Sequence, residues 1–177
     1  MKPGRFWIVV ALGLIFVVSP AQAAPVTPIR YEPEVANCIS QAAQGSEWLE
    51  KTLWALRDQE AGWVGAEIAN INGTHDLGVL QVNSAWIPRI SQMVGRSAAQ
   101  VRSWLVHDPC FNAEVARWIF LSALGHEQDY WKAVGVYHSP TAWRQRLYAT
   151  SVVAHLRRRY GETVFNRWRD KAKSSVR

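Results

Sequence analysis

Two acidic residues, Glu60 and Asp76, stand 16 positions apart in a stretch where carboxyl groups could act on a glycosidic bond. Such a bond breaks when its leaving oxygen receives a proton and the oxocarbenium-like sugar centre is stabilised. A carboxyl group in apolar surroundings has a raised pKa and can supply that proton near neutral pH. Trp54, Trp63 and residues 79–80 are the local candidates for such surroundings of Glu60.

A predicted helix positions Glu60. Apolar residues after Ser46 recur at helical spacing, and Ser46 is suited to the N-cap, so a helix is predicted up to about Ala61. Gly62 can end this helix. Glu60 therefore lies in the last turn, where the helix dipole favours cations over carboxylates. Its presence there indicates a role other than stabilising the helix.

The region between Gly62 and Val82 loses the helical period and contains the strong turn signal Asn72-Gly73. We expect a small β-hairpin here and no other β-structure. Further helices are predicted at residues 97 to about 106, 110 to about 124, 130 to about 137, 142 to about 160, and 163 to about 173. The sequence thus predicts one mainly α domain of the α+β type with a small β-hairpin.

The first residues have the features of an export signal. Lys2 and Arg5 precede an apolar run of 13 residues, and Ala21-Gln22-Ala23 is a small-residue cleavage site. An uncleaved membrane anchor is the alternative, although the run is shorter than the about 20 apolar residues that a span needs. We expect a periplasmic protein without a stable membrane span. Its predicted parts are a signal peptide (1–23), an extended lead-in with three prolines (24–33), the folded domain (34–170) and a flexible basic tail (171–177).

The charge of the chain is basic. Removing the signal takes away Lys2 and Arg5 and lowers the formal net charge from +6 to +4. Export argues against a nucleic-acid partner, and a polyanionic cell envelope is the more natural attractor. Solubility alone explains the charge equally well.

Cys38 and Cys110 are the two cysteines of the chain, so they allow one pairing. A bridge between them is expected in an oxidising compartment, and it would close a loop of about 70 residues. Two buried free thiols are the alternative. Neither a CxxC nor an HxxxH spacing is present, so the sequence predicts no metal site and no cofactor.

Three stretches carry a family resemblance: residues 57–62 (Arg-Asp-Gln-Glu-Ala-Gly), 76–84 (Asp-Leu-Gly-Val-Leu-Gln-Val-Asn-Ser) and 133–139 (Ala-Val-Gly-Val-Tyr-His-Ser). In this order and spacing they resemble the soluble lytic transglycosylase family. The closest resemblance is to its small branch associated with conjugation, type III secretion and type IV pilus assembly, and it covers about residues 34–160. It implies a lysozyme-like fold with a cleft between the end of the Glu60 helix and the hairpin segment.

The resemblance also implies roles for single residues. Glu60 would be the catalytic acid and base, and Tyr137 would lie beside it. Gly78 and Gln81 would belong to the wall of the glycan cleft, with Asn83 as a further sugar contact. As alternatives, Gln81 and Asn83 could be amides that brace the hairpin, and Tyr137 is at least partly a core residue.

The chain departs from the pattern of that family at three points. Ala61 stands where serine is frequent, Leu80 stands where methionine is common, and residues 138–140 (His-Ser-Pro) replace the frequent Asn-Ala-Gly. Leucine in place of methionine nearly keeps the size and polarity of the side chain, and alanine in place of serine loses one hydroxyl. The third changes the loop after Tyr137, so no substrate contact is carried over to His138.

The middle stretch also resembles c-type lysozymes, in which a similar Asp-containing segment follows the acid glutamate. That resemblance implies that Asp76 is the second carboxylate of a retaining pair, for which lysozyme is the standard example. The alternative is that Asp76 braces the turn after Asn72-Gly73 through its side chain. Both resemblances agree on Glu60 and on the substrate, and they differ on Asp76.

The function implied is cleavage of the MurNAc-GlcNAc bond in peptidoglycan glycan strands, with a 1,6-anhydro-muramyl product. The branch further implies local wall opening for an envelope-spanning secretion, conjugation or pilus machine, whose subunits would be partners. Three alternatives stay open: a lysozyme-like hydrolase, a catalytically silent glycan-binding assembly protein, and a basic exported DNA-binding factor. Steeply salt-dependent DNA affinity would identify the last of these.

Overall fold

The computed structural model describes residues 32–165. Seven α-helices and three short strands follow one another: α1 (Glu32–Ala43), α2 (Glu47–Glu60), β1 (Glu67–Ala69), β2 (His75–Leu77), β3 (Val82–Asn83), α3 (Ile87–Val94), α4 (Ala98–His107), α5 (Pro109–Glu127), α6 (Tyr130–His138) and α7 (Ala142–Tyr160). Two 3₁₀ turns, Ser84–Trp86 and Glu162–Phe165, complete the order. None of the described helices has the length and apolar character needed to cross a membrane. The predicted signal peptide (1–23), most of the lead-in (24–33) and the basic tail (171–177) lie outside the described residues.

The fold class is confirmed: mainly helical, α+β, with one small antiparallel sheet. The strand order is β1-β2-β3, and Asp76 on β2 pairs with Ile68 on one side and with Asn83 on the other. The predicted hairpin is therefore present as β1 and β2. The prediction missed β3, since two residues are too short for an alternating apolar pattern to be visible.

Two helices of the structure, α1 and α3, were not predicted from the sequence. The expected lead-in (24–33) ends early, because α1 already begins at Glu32. Proline is compatible with the first turn of a helix, where its missing N–H has no partner to lose, so Pro33 does not delay α1. The second correction concerns α3, which was not predicted. It spans the eight residues Ile87–Val94, has Pro88 in its first turn and is followed by Gly95 in a left-handed conformation.

The remaining helices agree with the predictions to within a few residues at their ends. Ser46 occupies the N-cap position of α2, although its side chain makes no capping hydrogen bond. The helix predicted from 163 to about 173 begins instead as a 3₁₀ turn at Glu162–Phe165, and the rest of that range lies outside the described residues.

A hydrophobic core joins the helices around α5. This helix packs against α1, α4 and α6, while α7 packs against α2 and α6. Phe120 of α5, Ile39 of α1 and Leu53 of α2 are completely buried at the centre. Because α7 lies against α2, side chains of the late helix can reach the end of the helix that carries Glu60.

The predicted disulfide is confirmed. Cys38 on α1 and Cys110 at the start of α5 are bridged, with a separation of 72 residues along the chain. The bridge ties the first described helix to the central one. It thus supplements the apolar packing between α1 and α5.

Candidate active site

A cleft of about 980 Å³ opens between the C-terminal end of α2, the three-stranded sheet and the junction of α6 with α7. Five of the six side chains predicted from the sequence line it: Glu60, Asp76, Gln81, Asn83 and Tyr137. Residues more than 70 positions apart along the chain therefore meet at one concave surface. Pockets of this volume are typical of small-molecule and saccharide sites.

Glu60 is held in the cleft by a residue that the sequence analysis missed. The hydroxyl of Tyr148, on α7, donates a hydrogen bond to Glu60 Oε1. Burial raises the pKa of Glu60 to about 7; the hydrogen bond from Tyr148 works against this rise, and the charge of Asp76 adds to it. A carboxyl group with this pKa can both donate and accept a proton near neutral pH.

The surroundings of Glu60 differ from those expected. Trp63 is 57% exposed and does not line the cleft. Trp54 is buried, but the guanidinium of Arg159 covers its ring at 4.1 Å from the centroid. Two tyrosines face the glutamate instead: burial raises the pKa of Tyr137 and of Tyr148 well above the usual range, and the charge of Glu60 raises both further.

Tyr137 joins α6 to the turn before β3. Its hydroxyl donates a hydrogen bond of 2.8 Å to the carbonyl oxygen of Leu80. The side chain therefore both lines the cleft and packs against the core. Its predicted position beside the glutamate agrees with the electrostatic effect of Glu60 on its hydroxyl.

A buried asparagine fixes the same turn from the other side. Asn112 of α5 is completely buried; its Nδ2 donates to the carbonyl oxygens of Leu77 and Leu105, both at 2.8 Å, and its Oδ1 accepts from Leu80 N at 2.9 Å. Each polar atom of the amide thus has a partner, as a buried amide requires. In the sequence, an amide at a position of the apolar repeat of α5 could have indicated this buried residue.

Gly78 lies outside the cleft, contrary to the expectation that it forms part of the wall. It is buried, has φ of +68°, and a Cβ there would stand 2.1 Å from Leu105 O. Gly62 permits a similar close approach, since a Cβ added there would lie 2.2 Å from Gly78 O. The residue that ends α2 in the left-handed conformation is Ala61, not Gly62. Both glycines permit close approach of backbones that support the cleft.

The two amides predicted as sugar contacts are engaged within the protein. Gln81 Nε2 donates to Gly78 O at 2.8 Å. Asn83 Nδ2 donates to Asp76 Oδ1 at 2.8 Å and to Thr74 Oγ1 at 3.0 Å, and its Oδ1 accepts from Ala85 N. These bonds support the bracing alternative for both residues. Each side chain still borders the cleft.

Asp76 faces the cleft from the middle strand of the sheet. The Asn83 side chain on β3 orients its carboxylate, and its negative charge contributes to the raised pKa of Glu60. The hydrogen bond from Asn83 joins β3 to β2, so the neighbouring strand holds the carboxylate of Asp76 in position. The carboxyl groups of Glu60 and Asp76 are therefore close enough to interact electrostatically. Their surroundings differ, because Tyr148 contacts Glu60 and Asn83 contacts Asp76.

The segment after Tyr137 adds His138 and Arg144 to the lining. The ring of His138 stacks on that of Tyr148, with centroids 4.6 Å apart and planes 5° apart. Burial lowers the pKa of His138, the nearby charge of Asp76 opposes this shift and that of Arg144 reinforces it. At the opposite wall Trp86 lines the cleft and packs edge-on against Trp118.

Among the described residues, no three His, Cys, Asp or Glu side chains cluster as possible metal ligands. What the arrangement offers is proton transfer by Glu60 next to a second carboxylate. Asn70, Asn72 and Thr74 add polar groups to the lining, and Trp86 and Tyr137 add aromatic ones. Such a mixture of amides, hydroxyls and rings suits a carbohydrate, which presents hydroxyls at its edges and apolar C–H faces.

Comparison with known proteins finds distant relatives. No protein-family model matches the chain. Over 135 residues it is 28% identical to invasion protein IagB of Salmonella typhimurium and of Salmonella typhi, which covers 76% of this chain and 76% of the relative. Over 126 residues it is 25% identical to protein IpgF of Shigella flexneri, which covers 71% of this chain and 80% of that protein. The similarity thus extends over most of both chains at low identity.

Proposed function

We propose that this protein is a peptidoglycan lytic transglycosylase that cleaves the MurNAc-GlcNAc β-1,4 bond. The observation that carries the proposal is Glu60, a carboxyl group with a pKa of about 7 inside a cleft lined by amides, hydroxyls and aromatic rings. Perturbed acids in such clefts are typical of catalytic sites. A zymogram with purified murein tests the activity directly, and absence of any cleared band would favour the silent glycan-binding alternative.

The proposed reaction uses Glu60 twice. Protonated Glu60 first gives its proton to the glycosidic oxygen, and the bond from that oxygen to C1 of MurNAc breaks with its electron pair on the departing GlcNAc oxygen. The 6-hydroxyl of the same MurNAc then bonds to C1 and returns its proton to Glu60. The product has a 1,6-anhydro-muramyl end, and the enzyme regains its starting state without water or a protein nucleophile.

Asp76 separates this mechanism from that of a lysozyme-like hydrolase. In the transglycosylase its charge raises the pKa of Glu60 and stabilises the positive sugar centre electrostatically. In a hydrolase it would also form or stabilise a glycosyl intermediate that water resolves. The hydrogen bond from Asn83 holds the carboxylate of Asp76 in place in either mechanism, so the identity of the product has to distinguish them.

Asp76→Asn is expected to slow murein cleavage about tenfold without changing the product, because only an electrostatic contribution is lost. Mass spectrometry of the digest distinguishes the products, since an anhydro end is one water lighter than a reducing end. Ala85→Ser is the control, since it changes another residue of the lining without touching a carboxylate. Reducing ends from the wild-type protein together with an inactive Asp76→Asn variant would establish the hydrolase.

The proposed role of Glu60 as an acid predicts a pH profile. Cleavage requires protonated Glu60, so activity falls as the pH rises through about 7. Tyr148→Phe removes a hydrogen bond that favours the carboxylate form, so the fall moves to higher pH and the maximal rate drops about tenfold. Initial rates measured from about pH 5 to about pH 9, a range that spans the pKa of Glu60, report both effects.

Tyr160→Phe on the same helix is the matched control, because Tyr160 does not line the cleft. An unshifted profile in Tyr148→Phe, or an equal shift in Tyr160→Phe, would mean that the hydroxyl of Tyr148 does not control the protonation of Glu60.

A role at an envelope-spanning apparatus is the second part of the proposal. The name of one relative, invasion protein, suits a protein that opens the wall locally for a secretion, conjugation or pilus machine. The basic, apolar and small-residue order at 1–23 supports periplasmic export. Subunits of that machine would be partners. Co-purification of the tagged, Glu60→Gln protein from the native envelope, with and without the genes of the machine, tests this part.

A further inference from the structure

Arg144 gives one end of the cleft a positive charge. It is the single arginine or lysine among the described residues that line the cleft, in which Glu60 and Asp76 supply the negative charges. The described residues hold no acidic side chain in an ion pair with Arg144. Its guanidinium lies 5.3 Å from the ring centroid of the adjacent Trp143. The charge is thus free to meet a ligand.

The position of Arg144 relative to Glu60 follows from helix geometry. Arg144 and Tyr148 stand four residues apart on α7, so their side chains leave the same face of the helix. Tyr148 reaches Glu60 with its hydroxyl. Arg144 therefore lies about one helical turn, roughly 6 Å along the axis, from the residue that contacts the proposed catalytic carboxyl group.

The first turn of α7 is a firm support for Arg144. Gln145 packs on Gly135 of α6, where a Cβ would lie 2.9 Å from Gln145 Cα. Gln145 Nε2 also donates to Ser139 O at 3.0 Å, and Thr141 N donates to Ser139 Oγ at 3.2 Å. Ser139 is buried. Packing and hydrogen bonds therefore hold the backbone of this turn, so the base of the arginine side chain has a defined direction.

We propose that Arg144 binds a carboxylate of the glycan substrate and makes the cleft selective for MurNAc-containing strands. The inference rests on the proposed function, since it assigns a substrate group to the same cleft. MurNAc differs from GlcNAc by a lactyl group, which ends in a free carboxylate in peptide-free strands and carries a peptide with its own carboxylates in intact murein. The planar guanidinium can donate two parallel hydrogen bonds to either carboxylate.

The test measures binding by titration calorimetry in a Glu60→Gln background, which prevents turnover of the probes. Three tetrasaccharides serve as probes: GlcNAc-MurNAc with free lactyl groups, the same with stem peptides, and a GlcNAc oligomer without carboxylates. Arg144→Gln is expected to weaken at least one of the two MurNAc probes about tenfold, as loss of a charge-assisted hydrogen bond implies, and to leave the GlcNAc oligomer within about twofold. Weakening of the peptide-free probe identifies the lactyl carboxylate, and weakening confined to the peptide-bearing probe identifies the peptide.

Arg146→Gln is the matched control. Arg146 is exposed on the same helix but does not line the cleft, so its loss changes net charge equally and should leave all three affinities unchanged. Equal affinities of the three probes, unaltered by Arg144→Gln, would overturn the inference and leave the proposed function standing. Loss of binding in Arg146→Gln as large as in Arg144→Gln would also overturn it, because net charge would then explain the effect. Failure of every glycan to bind would remove the proposed function together with the inference.

Discussion

Replacing Glu60 by glutamine is expected to reduce murein cleavage by about a hundredfold to ten-thousandfold, because the amide keeps the shape of the side chain but cannot donate and recover a proton. Its Oε1 can still accept the hydrogen bond from Tyr148, so the cleft should keep its geometry. Release of soluble muropeptides from purified sacculi measures the loss. Retention of more than a small percentage of the wild-type rate would remove Glu60 from the mechanism.

Glu50→Gln provides the control for this change. Glu50 lies on the same helix, is partly exposed and does not line the cleft, so the variant should cleave murein at the wild-type rate. Circular dichroism of both variants then separates loss of chemistry from loss of fold.

The Glu60→Gln and Glu50→Gln variants can also be compared without murein, through the pH dependence of their free energy of unfolding. The folded pKa of Glu60 is raised from 4.5 to about 7, so its contribution to stability is complete below pH 4.5 and is lost as the pH rises through about 7. That loss amounts to about 3 kcal/mol at most, since each pKa unit corresponds to about 1.4 kcal/mol. In Glu60→Gln the free energy of unfolding should therefore fall less over this interval than in Glu50→Gln.

Loss of the Cys38–Cys110 disulfide is expected to lower the free energy of unfolding by about 4 kcal/mol. The bridge closes a loop across 72 residues, and its removal restores conformational entropy to the unfolded chain. Domains are stable by only about 5 to 15 kcal/mol, so the reduced protein would lose a large part of its stability. Urea unfolding of the oxidised and the reduced wild-type protein measures the difference without introducing a cavity.

Two further observations accompany the disulfide experiment. A Cys38→Ala/Cys110→Ala variant should unfold near the midpoint of the reduced protein and should not respond to reductant. Thiol labelling of the denatured, non-reduced wild-type protein should find no free cysteine. Coincident unfolding curves before and after reduction would show that apolar packing between α1 and α5 suffices without the bridge.

Local sequence patterns predicted five of the seven described α-helices, namely α2, α4, α5, α6 and α7. The apolar period after Ser46 and the period from Ala142 onward predicted α2 and α7, because a helix side that faces the core repeats every 3.6 residues. The turn signal Asn72-Gly73 predicted the hairpin for a similarly local reason. Three elements escaped this reasoning. α1 follows a proline-rich segment that was expected to be extended, and α3, which buries only Ile87 and Ile90, and the two-residue β3 do not show a full period.

The sequence by itself also indicated candidate site residues. A carboxylate at the unfavourable end of a helix drew attention to Glu60, and the family resemblance of the three stretches indicated roles for Glu60, Asp76, Gln81, Asn83 and Tyr137, all of which line one cleft. The pairing of two cysteines followed from their number. The cysteine pairing needs only residue type and number, whereas the roles of the candidate site residues were implied by the resemblance to a known family.

Only the tertiary structure decided what surrounds Glu60 and therefore how acidic it is. Its hydrogen-bond partner Tyr148 stands 88 residues away, and the contact of Tyr137 with Leu80 spans 57. Such contacts depend on how α7 and α6 pack against α2 and the sheet, which no local period encodes. The same packing left Trp63 exposed and placed Arg144 at the cleft. A pKa reports burial and nearby charges in three dimensions, so it becomes defined only when the distant helices meet.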